Sequence, residues 1–104
     1  MKILFDHGTP APLRRELPGH EISTAYEMGW AELNNGDLLS AAEKSFEAFI
    51  TTDKNLRYQQ NLTGRRLAIL VLPTTSWLEI QKHTDKVSSA IASLKPGDFI
   101  ELSF

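Results

Sequence analysis

Three short runs constrain this chain more than any other feature: Ile3-Leu4-Phe5, Ala48-Phe49-Ile50-Thr51-Thr52 and Leu67-Ala68-Ile69-Leu70-Val71-Leu72. They are apolar or β-branched at every position rather than at alternate ones. Strands of that pattern are buried on both faces, a condition met in parallel sheets covered by helices. Each run also ends abruptly, the first at Asp6 with a Gly8-Thr9-Pro10 turn, the second at Asp53 and the third at Pro73.

The segments between the runs supply the helices. Ala11 to Leu17 reads as a short helix stopped by Pro18-Gly19, and His20 to Tyr26 alternates weakly as a second strand. Met28 to Asn35 is irregular, with Asn34-Asn35-Gly36 as a turn. Asp37 to Phe46 has helical spacing at Leu38, Leu39, Ala41, Ala42 and Ser45, with Asp37 where a carboxylate favours a helix N-terminus. Lys54 to Gly64 is a polar connection with room for one or two helical turns. Ser76 is placed to cap a helix reaching about Leu94, and Pro96-Gly97 ends it. Phe99 to Phe104 alternates as a final edge strand. Strands alternating with helices predict an α/β three-layer sandwich on a mostly parallel sheet of four to five strands. The 104 residues suit one domain over 1–104, with no repeat and no linker.

Composition narrows the function classes. A formal net charge of −2 argues against a general nucleic-acid coat, though a local basic patch is compatible with it. The absence of cysteine excludes disulfide frameworks, thiolate zinc sites and cysteine nucleophiles. The N-terminal apolar run meets Asp6 too early for a signal-peptide core, and no apolar stretch is long enough to span a bilayer. A cytoplasmic protein without membrane contact is the expectation.

The acids that close the strands carry the candidate chemistry. In open parallel sheets the C-terminal strand ends meet at a crevice where ligands bind. If the first and third strands are neighbours, Asp6 and Asp53 converge there, and Asp37 opens a helix that starts on the same side. Gathered carboxylates repel one another, and a hard cation such as Mg²⁺ or Mn²⁺ relieves that repulsion. Such an ion supports phosphoryl displacement by water. The plainer alternative is that each aspartate forms its own turn or cap. Beside Asp53, Lys54, Asn55, Arg57 and Tyr58 form a candidate nucleic-acid contact, with Arg65 and Arg66 further on. His7 reads as a turn residue, and Trp30 and Trp77 as packing. Apolar residues on the C-terminal helix and last strand suit either a homodimer contact or completion of the core.

The chain resembles the short PIN-like domains, relatives of the VapC toxin ribonucleases. The resemblance rests on Ile3-Leu4-Phe5-Asp6, on Asn35-Gly36-Asp37-Leu38-Leu39-Ser40-Ala41-Ala42 and on Ile50-Thr51-Thr52-Asp53-Lys54-Asn55-Leu56, in order along the chain. It implies a metal-dependent endoribonuclease, often the toxin partner of a small antitoxin protein. It places Asp6, Asp37 and Asp53 as catalytic and metal-holding acids, with Asn35 at the position where short relatives often carry an acid. The glutamate that longer relatives carry on a helix has no clear match, and Glu27 is preferred over Glu32 for that place. Two other readings follow from the same residues: a binding module that has lost catalysis, and a receiver-like phospho-acceptor. The latter is weakened by the single early acid and by the lack of a lysine after the fifth strand.

Overall fold

The computed structural model describes residues 1–104. Five strands form one all-parallel sheet: β1 (Lys2–Phe5), β2 (Glu21–Thr24), β3 (Ala48–Thr51), β4 (Ala68–Val71) and β5 (Phe99–Glu101), in the order β2-β1-β3-β4-β5. Side chains alternate across a strand, so each apolar run feeds two cores. Ile3, Phe5, Ala48, Ile50, Ala68 and Leu70 face one core together with Leu13, Leu17, Val87 and Ile91. Leu4, Phe49, Ile69 and Val71 face the other together with Leu38, Leu39, Ala42 and Leu56. The second core is roofed by α1 (Asn35–Ser45) and the single turn α2 (Leu56–Gln59). The first is roofed by a 3-10 helix, Ala11–Glu16, and by α3 (Trp77–Ile80) and α4 (Thr84–Ser93). This is an α/β sandwich of three layers, and full burial of each large apolar side chain contributes about 1.5–3 kcal/mol to holding it.

The local signals explain most boundaries and miss two. The helix expected from Asp37 begins at Asn35, because Asn34 is the cap: its side-chain oxygen accepts the Asp37 amide at 2.8 Å. Asp37 is therefore the third residue of α1, not its opening one. The helix expected over 76–94 is two helices. Ser76 does cap the first, accepting the Glu79 amide at 3.3 Å. A 3-10 turn at Gln81–His83 then separates α3 from α4, and His83 leaves helical geometry at φ −132°, ψ 27°. Its ring stacks on Phe104 with centroids 4.4 Å apart. The apolar spacing continues unbroken across that turn through Ile80, Val87 and Ile91, all buried in one core, so periodicity alone reads it as one helix. Trp30 and Trp77 pack against the two cores as expected, Trp30 edge-on to Phe46 at 6.1 Å. No helix is long and apolar enough to cross a membrane.

Two ionic clips tie the layers at their margins. Arg14, on the 3-10 helix, holds Glu27 in the turn after β2. Its hydrogen bonds, joined by the Thr24 amide, lower the Glu27 carboxyl from 4.5 to about 2. Arg65 reaches Glu43 of α1 at 3.2 Å, and the Arg66 amide donates to the same carboxylate. Burial pushes the Glu43 carboxyl up, but these donors outweigh it and the net shift is downward.

Two outcomes follow. Asn34→Ala removes the cap of α1 and should lower unfolding free energy by about 1 kcal/mol in urea titrations. Glu27 has a depressed folded pKa, so its contribution is present above pH 4.5 and is lost as pH falls toward 2. The stability difference between the wild type and Glu27→Gln should therefore shrink across that window. A constant difference would show that the ionised pair contributes nothing.

Candidate active site

The sheet changes direction between β1 and β3. The chain moves from β1 outward to β2, then crosses through α1 to β3 on the other side of β1. Loops leaving neighbouring strands in opposite directions open a crevice at their C-terminal ends. Asp6 is the first residue beyond β1 and is only 8% exposed. Its amide donates to the Ile50 carbonyl at 2.9 Å, so backbone pairing with β3 extends past the strand. Its carboxylate accepts on both oxygens: Oδ1 from the His7 amide at 2.8 Å, with His7 Nδ1 at 3.3 Å, and Oδ2 from the Thr51 hydroxyl at 2.7 Å. The loop then lies flat on the end of β3. Thr9 donates its hydroxyl to the Ile50 carbonyl at 3.1 Å, and Gly8 stands at φ +83°. The backbone angle favours glycine there, and a Cβ would also sit tightly against Thr52 Oγ1 at 3.0 Å.

Thr51 joins the two acids. It is fully buried, and its hydroxyl donates to Asp6 while accepting the Asp53 amide at 3.1 Å. Asp53 in turn accepts the Asn55 amide on Oδ1 at 2.9 Å and the Asn35 side-chain amide on Oδ2 at 3.3 Å. One connected network thus links Asp6 of the β1 loop, Thr51 and Asp53 at the end of β3, and Asn35 in the first turn of α1. Buried carboxylates persist only when their oxygens are hydrogen-bonded, and donors to a charged acceptor are the stronger kind.

The other expected residues do not join this network. Asp37 is exposed on α1, and it is Asn35 that reaches Asp53. Glu27 is engaged by Arg14 and by the Thr24 amide. Lys54 and Asn55 are exposed beside Asp53. Arg57 is paired with Glu101 at 3.0 Å, and its guanidinium lies 5.1 Å from the Phe99 ring, fastening α2 to β5. Tyr58 is 79% exposed. No three acidic or histidine side chains gather closely enough to hold a metal ion among themselves. A cleft of about 190 Å³ opens beside Asp6, lined by His7, Thr9, Thr24 and Tyr26. A larger cavity of about 400 Å³ lies elsewhere, among Met1, Glu43, Phe46, Arg66 and Lys95. Both acids that line it are already engaged, Glu43 by Arg65 and Arg66 and Glu47 by the Lys2 amide.

The residue that sequence reasoning passes over is Thr51. It reads there as an ordinary β-branched strand residue. Its one distinguishing mark is that it is the first polar position in a run otherwise apolar from Ala48. Thr51→Val keeps the shape and removes the bridge, leaving Asp6 Oδ2 without its donor. It should lower stability by about 1–3 kcal/mol, while Thr51→Ser stays close to wild type. Equal unfolding midpoints for Val and Ser would dismiss the bridge as a stabilising element.

Compared with known proteins, the chain matches no family model, no curated protein and no solved structure.

Proposed function

We propose that the edge around Asp6 and Asp53 carries metal-dependent hydrolysis of RNA phosphodiester bonds, in a PIN-like fold. The observation that supports this most is the Thr51 bridge: one hydroxyl at the crevice donates to the Asp6 carboxylate and accepts the Asp53 backbone amide, tying the acids that follow two neighbouring strands. The donor set suits Mg²⁺ or Mn²⁺. The oxygens of Asp6 and Asp53 are hard and anionic, each accepts a protein hydrogen bond, and each keeps lone-pair capacity. Magnesium is commonly held by one or two carboxylates, with water and substrate phosphate completing its shell. Such an ion, when bound, supplies charge for an in-line displacement at phosphorus. Thr51 holds the Asp6 carboxylate in one orientation, Asn35 does the same for Asp53, and Lys54 with Asn55 stands ready for the substrate backbone. A cytoplasmic setting and a small antitoxin partner belong to the same reading, the partner on the strength of the family resemblance.

A second reading is a PIN-like module that binds nucleic acid or a protein without cutting. It is favoured by the small number of acids that gather: Glu27 is held by Arg14, and Asp37 stands apart. The strand order also suits a receiver-type phospho-acceptor. Against that stand the single acid after β1 and the sequence Glu101-Leu102-Ser103 at the end of β5, where a lysine is required.

The nuclease reading expects cleavage of unstructured RNA in Mn²⁺ or Mg²⁺ and none in chelator. Asp6→Asn and Asp53→Asn should each slow cleavage by about 100-fold or more, the scale lost with a stabilising electrostatic contact. Unchanged cleavage in both variants defeats it. Binding without cleavage in either metal selects the second reading.

A further inference from the structure

Two exposed tyrosines stand in the segments that follow β2 and β3, the strands on either side of β1. Tyr26 follows the end of β2, is 80% exposed and lines the cleft that opens on Asp6. Tyr58 sits on α2, just past Asp53, and is 79% exposed. Neither ring contributes to either core. The Arg57 guanidinium lies 5.8 Å from the Tyr58 ring, a cation-π contact that braces it.

The charges along the same edge point the same way. Arg14 is neutralised by Glu27 and Arg57 by Glu101. Lys54 is the basic side chain beside Asp53 that has no ion pair. The aspartates themselves are anionic. A phosphate backbone laid along this edge therefore meets little positive charge, and proteins that bind nucleic acid chiefly by charge need several free cations. Aromatic faces remain as the means of grip.

We propose that this edge holds its nucleic acid by stacking unpaired bases on Tyr26 and Tyr58, with phosphate contact limited essentially to Lys54. The substrate class is then a single strand with splayed bases, because the bases of a duplex are already stacked on one another and present no free face. The inference rests on the edge being an RNA site, but it is independent of whether the RNA is cut.

The test is binding of a short, fluorescently labelled, unstructured RNA, measured by anisotropy with chelator present so that no cleavage intervenes. Tyr26→Ala and Tyr58→Ala should each weaken binding by roughly 5- to 150-fold, and Tyr→Phe at either position should bind as wild type. The logarithm of affinity should fall with the logarithm of salt at a slope of about −0.7, as for one phosphate contact on a single strand. Duplex of the same sequence should bind markedly more weakly. Both rings are exposed, so circular dichroism of the variants should match wild type. The proposal is overturned by alanine variants that bind unchanged, by a slope of about −3 or steeper, by equal affinity for duplex, or by no RNA binding at all. In that last case, loss of a protein contact on Tyr→Ala would identify the rings as a protein-docking surface instead. Tight, tyrosine-dependent binding with no cleavage once Mn²⁺ is restored would sink the nuclease reading and leave this one standing.

Discussion

Burial of β1, β3 and β4 on both faces is the constraint from which the rest follows. These strands are only four residues long, yet almost every side chain in them enters one core or the other. No solvent-facing row remains to carry polar groups, so polar chemistry is confined to the strand ends. Where the chain must turn, it does so with Asp6, Thr51, Asp53 and Thr74, whose side chains bond the backbone or one another. The crevice is thus chemically rich because the sheet interior is chemically bare.

Placement of the two aspartates depends on that sheet through very few bonds. The Asp6 amide continues the β1–β3 ladder onto Ile50, and the Leu72 amide does the same for β3–β4 onto Thr51. Thr51 is therefore pinned by backbone from one neighbour and by its hydroxyl from the other. A carboxylate at 8% exposure in such a setting has its orientation set by fixed donors rather than by water. The acids farther out are governed differently. Glu27 and Glu101 each find an arginine at hydrogen-bond range and are taken up as fasteners. The acids at the crevice are thus held without arginine or lysine, while these two at the margin are each paired with an arginine.

The strands were legible from sequence because a continuous apolar run has few other homes, and the parallel arrangement followed from the helical segments between them. The pairing that joins Asp6 to Asp53 was legible only conditionally, since nothing local says which strands are neighbours. The cap Asn34 was hidden inside a turn signature, where Asn serves equally well. The break at His83 was hidden because Ile80, Val87 and Ile91 keep one face across it. The contacts of Thr51, Arg57 and Glu27 were not legible in the sequence for one shared reason. Their roles depend on partners distant in sequence: Asp6 for Thr51, Glu101 for Arg57 and Arg14 for Glu27. Those pairings exist only after the layers assemble.

The all-parallel pairing also has a kinetic side. No two adjacent strands are joined by a hairpin. Ile3 must wait for Ala48 and Ile69 for Phe99, so each ladder closes a long loop before any of its hydrogen bonds forms. Folds dominated by such distant pairings order slowly. Until its ladder closes, each apolar run lacks a partner strand, and Asp6 and Asp53 put a charge just beyond two of those runs, where charges guard hydrophobic strands against aggregation.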